Sequence, residues 1–154
     1  MSMLQAAGAP PGLKAALVGG LAAGALDYVA AVLASGAGFM VVGQAIASGL
    51  LGRAAFQGGV PVALLGAALH FAILLVVAAI YVAAARRMEF LWRQPLPCGV
   101  VLGLIVYSIM NAIVVPLSNA AVGVSPDVGR LLVQMVIHMT VVGPPIAFAA
   151  GRIR

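Results

Sequence analysis

The chain has 154 residues, 64% of them hydrophobic and only 7% charged, against about 25% charged in a typical soluble domain. One domain's length with so little polar surface excludes a water-soluble globule and indicates an integral membrane protein. The net charge of +5 lies beside apolar runs and not among aromatics in a basic patch, which is how membrane topology is encoded and leaves nucleic acid out as a partner.

In chain order, residues 1–13, "MSMLQAAGAPPGL", read as a short flexible tail, and residues 14–154 as a single transmembrane domain. A spanning helix needs about 20 apolar residues. The first span is residues 15–34, "AALVGGLAAGALDYVAAVLA". Val32-Leu33-Ala34 would pass as a signal-peptide cleavage site. Against that, the basic region is Lys14 alone and Asp27 interrupts the apolar core, so a retained helix is expected. Residues 38–52, "GFMVVGQAIASGLLG", are too short to span. Phe39, Val42, Ile46 and Leu50 recur at helical spacing while Gln44 and Ser48 share another face, which reads as an interfacial helix or a re-entrant segment.

Residues 60–85, 97–117 and 131–150 complete four spans. Pro61 and Pro97 sit near helix starts, where a missing N–H does little harm. Gly143-Pro144-Pro145 reads as a tolerated kink in the last span, because prolines free carbonyls one turn back. With the N-terminus inside, four spans place Lys14, Arg86, Arg87, Arg93, Arg152 and Arg154 in the cytoplasm and only Arg53 and Arg130 outside. Five spans would move Arg86, Arg87 and Arg93 outside. The expectation is therefore an all-α, four-span bundle with both termini cytoplasmic, an outer cap over residues 35–59 with Arg53 at headgroup level, and an inner aromatic girdle of Tyr81, Phe90 and Trp92.

Helices in lipid associate by close backbone approach, so small residues mark their seams. Gly20 and Gly24 mark one in the first span, Ala63, Gly66 and Ala67 in the second, Gly99 and Gly103 in the third, and Gly143, Ala147 and Gly151 in the fourth. Polar residues continue these stripes at steps of three and four. Asp27 follows Gly24, His70 follows Gly66, and Asn111 follows Gly103 and Tyr107, so each turns into the bundle. Gln134 and His138 share a face of the fourth span. At 1.5 Å per residue, Asp27, His70, Asn111 and His138 lie roughly 9–15 Å inside the outer ends of their helices, which predicts one polar cluster.

That cluster admits four readings. It is a structural hydrogen-bond network bridged by Asn111 and Gln134; or a proton-responsive site, since a carboxylate raises and burial lowers a histidine's pKa; or a haem or copper site on His70 and His138, with Met110, Met135 and Met139 nearby; or a pocket for a lipid or small molecule. Cofactors and metals are not expected to be required. No GxSxG or Walker loop occurs, Ser35, Ser48 and Ser118 have no nucleophile spacing, Asn119 is in no glycosylation sequon, and the lone Cys98 forms no intramolecular disulfide.

The phrases "QAIASGLLG", "ALLGAALHF", "VYSIMNAIVVPLSNA" and "IHMTVVGPPIAFAAGR", spread over about residues 14–151, resemble the YagU-like group of bacterial inner-membrane proteins. The resemblance implies a multi-pass protein of the bacterial cytoplasmic membrane and transfers no catalytic residue. The leading expectation is a non-enzymatic membrane protein, self-associating or an accessory subunit of a membrane complex. The alternatives are a transporter or channel for protons, metal ions or a small solute, and a bis-histidine haem carrier.

Overall fold

A computed structural model describes residues 10–152. Residues 1–9 of the expected tail and Arg154 lie outside the described residues. The only regular elements among the described residues are helices, and residues 118–127 form an irregular connection. Its helices are α1 (Pro11–Ser35), α2 (Phe39–Leu51), α3 (Gly59–Ala85), α4 (Glu89–Arg93), α5 (Pro95–Leu117) and α6 (Val128–Ala150). A 3-10 turn, Gly52–Gln57, prolongs α2, so that Phe39–Gln57 joins α1, α3, α5 and α6 as the fifth helix long and apolar enough to cross a membrane.

The ends follow local chemistry. Pro11 and Pro95 open α1 and α5 at positions whose N–H has no helical acceptor. Gly36, at φ 66°, closes α1 in the left-handed region that a side chain would strain. α6 starts three residues before the expected 131 because Asp127 caps it: its Oδ1 accepts from Gly129 N at 2.8 Å and Arg130 N at 3.3 Å.

α1 and α3 run antiparallel. A Cβ at Gly20 would lie 3.0 Å from Leu75 Cα, one at Gly24 2.7 Å from the Phe71 ring, and one at Gly12 3.6 Å from Val82. As α1 ascends from 12 to 24, its partner descends from 82 to 71. The end of α1 and the start of α3 therefore share one end of the molecule, and α2 leaves and returns at that end. α5 and α6 form the second antiparallel pair. A Cβ at Gly99 would meet Pro144 Cα at 2.6 Å, one at Gly103 would overlap His138 O, and one at Gly143 would overlap Gly99 O. Gly19 joins the two pairs, with Ala149 Cβ 3.0 Å from the place its own Cβ would take. α1 thus lies between α3 and α6, and α5 is held by α6 and by its own lead-in helix α4.

α2 carries its polar side into the bundle. Gln44 and Ser48 are buried, 4% and 0% exposed, together with Val42, while Phe39 and Leu50 are exposed. The reason is main-chain partners. Gln44 Nε2 donates to Gly59 O at 3.3 Å, and Ser48 Oγ accepts from Ala121 N at 3.1 Å. Gly43 and Gly66 let α2 and α3 touch backbone to backbone: a Cβ on Gly43 would sit 2.5 Å from Ala63 O, and one on Gly66 would overlap Gly43 O. The expected girdle also changes. Tyr81 is buried, 6% exposed, with its hydroxyl donating to Leu91 O at 2.9 Å, so that it clamps α4 to α3. Phe90 is exposed and Trp92 half-buried.

The two long helices with internal prolines, α5 and α6, widen before them. Val115 N bonds Met110 O and Gly143 N bonds His138 O, five residues back in each case. Proline has no N–H to continue the four-residue ladder and crowds the carbonyl one turn back. A π-turn ahead of Pro116, and another ahead of Pro144 and Pro145, absorbs the misfit.

Candidate functional site: two polar pairs in the bundle

The first pair is Asp27 with His70. α1 presents Asp27 on the Gly20–Gly24 stripe, and α3 presents His70 one turn after Gly66. Both are buried, 8% and 9% exposed. His70 Nε2 lies 3.0 Å from Gly24 O and 3.9 Å from Asp27 Oδ2. A carbonyl only accepts, so Nε2 carries the proton and donates to it. Gly24 performs two tasks here: a side chain would collide with the Phe71 ring, and its bare backbone leaves the carbonyl open to the imidazole. Tyr28 and Phe71 meet the imidazole edge-on, at centroid distances of 5.4 Å and 5.6 Å. Tyr28 also donates its hydroxyl to Phe39 O at 2.9 Å, which ties the pair to the first turn of α2.

The second pair is Tyr107 with His138, between α5 and α6, at a centroid distance of 5.7 Å. His138 Nδ1 lies 2.9 Å from Gln134 O, one turn back on its own helix, which assigns its proton to Nδ1. Asn111 Nδ2 donates to Tyr107 O at 3.0 Å, again within its own helix. Asn111 lies in one π-turn, and His138 begins the other. Such bulges often accompany functional positions, but here the downstream prolines account for both.

The single expected cluster is thus two pairs. No hydrogen bond, ion pair or ring contact joins Asp27 and His70 to Asn111 and His138 among the described residues. Asn111 and Gln134 do not bridge. Asn111 satisfies its own helix, and the Gln134 side chain is exposed. A buried amide finds a carbonyl one turn away more cheaply than it reaches across a helix seam. Gln44, expected as a secondary polar site, serves the α2–α3 junction. The donor set does not match a bis-histidine haem: His70 commits Nε2 to Gly24 O, and the two histidines belong to different helix pairs. No three histidine, cysteine, aspartate or glutamate side chains gather as a metal site among the described residues.

Sequence reasoning missed three members of the first pair's surroundings. Tyr28 and Phe71 are adjacent in sequence to Asp27 and His70, and were overshadowed by them. Gly43 carried a legible signal, since Gly43-x-x-x-Ala47 is the same small-residue spacing that marked the other seams. No family model, curated protein or solved structure matches the chain.

Proposed function

We propose that the protein is a four-span, non-enzymatic integral membrane protein that works as a self-associating unit or as an accessory subunit of a membrane complex. The observation that carries this reading is the one-sided packing of α5. α6 holds it along Gly99 and Gly103, while Val101, Leu104, Ile105, Ile109 and Ile113 are exposed. α5 is the least buried of the long helices. A helix seam in lipid gains from packing against another helix, and this flank is where a neighbouring span would add one. Gly20, Gly24, Gly66, Gly99, Gly103 and Gly143 are all engaged inside the bundle, so the flank and not a surplus of glycine motivates the association. Both histidines bond main-chain carbonyls and face aromatic rings, an arrangement suited to fixing helix register and not to activating a nucleophile.

Four spans are favoured over five by the antiparallel α1 and α3, between which a full crossing by α2 has no place. Lys14, Arg86, Arg87, Arg93 and Arg152 belong to the other end of the bundle, with Arg53 and Arg130 opposite. The positive-inside rule then assigns the richer end to the cytoplasm, and the YagU-like phrases favour a bacterial inner membrane. Cysteine labelling tests the topology. In a Cys98→Ser background, Ser35→Cys and Ser118→Cys should react with a membrane-impermeant maleimide from the same side; labelling from opposite sides would establish five crossings. Native mass spectrometry in mild detergent tests the association. A monomer with no co-purifying membrane protein would defeat it.

A further inference from the structure

At the end of the bundle where α1 begins and α3 and α6 finish, an open hollow of about 450 Å³ is lined by Pro11, Gly12, Ala85, Arg86, Trp92 and Gly151. A second hollow of about 320 Å³ adjoins it across Pro11 and is lined by Lys14, Val18, Ala149 and Arg152. A cation on α1 and cations just beyond the ends of α3 and α6 thus line the two hollows that share Pro11. The whole chain has three acidic side chains, and all are committed elsewhere: Asp27 to His70, Glu89 to Arg93 at 2.7 Å, and Asp127 to Arg130 at 3.8 Å. No carboxylate side chain remains to neutralise Lys14, Arg86 or Arg152. The C-terminal end of α3 accounts for a cation at position 86, but not for where its head goes. The Arg86 side chain lies along the first turn of α1, its Nη1 3.9 Å from the place a Cβ on Gly12 would take. That sets a positive group beside the positive end of another helix.

We propose that this paired hollow binds the phosphate headgroup of an anionic phospholipid. The inference rests on the membrane reading above. At the mouth of a helix bundle the available anion is a lipid phosphodiester, and basic hollows between span ends on the cytoplasmic side suit such headgroups. Arg86 offers a guanidinium fork to phosphate oxygens. Lys14 and Arg152 line the adjoining hollow, across Pro11. Proline, alanine, valine and indole surfaces form the walls against which glycerol and the upper acyl chain lie.

The chain's single tryptophan, Trp92, lines the hollow and reports its occupancy. The full-length protein is reconstituted in phosphatidylcholine vesicles containing a minor fraction of phosphatidylglycerol, and bromine is placed on the upper acyl chain of either lipid in turn. Brominated phosphatidylglycerol should quench Trp92 well beyond its share of the bilayer. The preference should fall about fivefold with Arg86→Gln, and further with Lys14→Gln and Arg152→Gln together. Arg53→Gln with Arg130→Gln, at the other end, should leave it unchanged. Equal quenching by both lipids, or a preference untouched by the three substitutions, would overturn the proposal. Reversal by excess inorganic phosphate would reassign the hollow to a free anion and overturn the lipid assignment. Protein that stays in the supernatant when the vesicles are sedimented would overturn the membrane reading, and this site with it.

Discussion

Gly24 shows how much one missing side chain can organise. Its carbonyl receives His70 and its bare α-carbon admits Phe71. Gly24→Ala forces that ring aside, and overpacking of this kind costs about 1–3 kcal/mol; thermal unfolding in detergent should register it, while Gly123→Ala, with open space around it, should stay within about 0.5 kcal/mol of the parent. Asp27 and His70 make a separable prediction. Polar pairs between helices in lipid average about 0.6 kcal/mol and reach about 1.7. A double-mutant cycle of Asp27→Ala and His70→Ala should return coupling in that range, and zero coupling would remove the pair as a register pin. The positions of Asp27 and His70 on inward faces were legible from three- and four-residue spacing. The separation of Asn111 and His138 from them was not, because spacing fixes the face of a helix and not which neighbour that face meets.

The π-turns in α5 and α6 belong to the helix as a unit. Each adds one residue to a turn, and so rotates everything before it relative to everything after. In Pro144→Ala with Pro145→Ala, the new N–H groups reach Thr140 O and Val141 O and the ladder returns to four-residue steps. His138 should then swing off Tyr107, and the ring-current shift of its imidazole protons in NMR should collapse; an unchanged shift would show that the bulge is held by packing on Gly103 and not by the prolines. A disturbance of the helix ladder was legible from Gly143-Pro144-Pro145, since proline chemistry is local. The partners of Gln44 and Ser48 were not legible, because they are main-chain carbonyl and amide groups at Gly59 and Ala121. Spacing places a polar residue on a helix face and leaves open which main-chain group answers it.

For the molecule as a whole, α1 stands between α3 and α6 and makes close contacts with both. Leucine at Gly19 would press on Ala149 and Ile146 and part the two helix pairs, so Gly19→Leu should abolish the cooperative thermal transition. Leucine at Val101, on the exposed flank of α5, should leave that transition in place and change only the species seen in native mass spectrometry. Four of the helices were legible almost to their ends from hydropathy. Their order in space was not, because apolar composition is the same whether a face meets lipid or another helix.

Asn119 N donates to Gly49 O at 2.9 Å, and Ala121 N to Ser48 Oγ across 73 positions of the chain. Synthesis proceeds from the N-terminus, so these donors do not exist when α2 first meets the membrane. A nascent chain that ends after α3 holds the last turn of α2 with its acceptors unanswered. The segment that follows α5 is therefore a late latch. Chains truncated before Ser118 should leave α2 open to protease, and full-length chains should protect it.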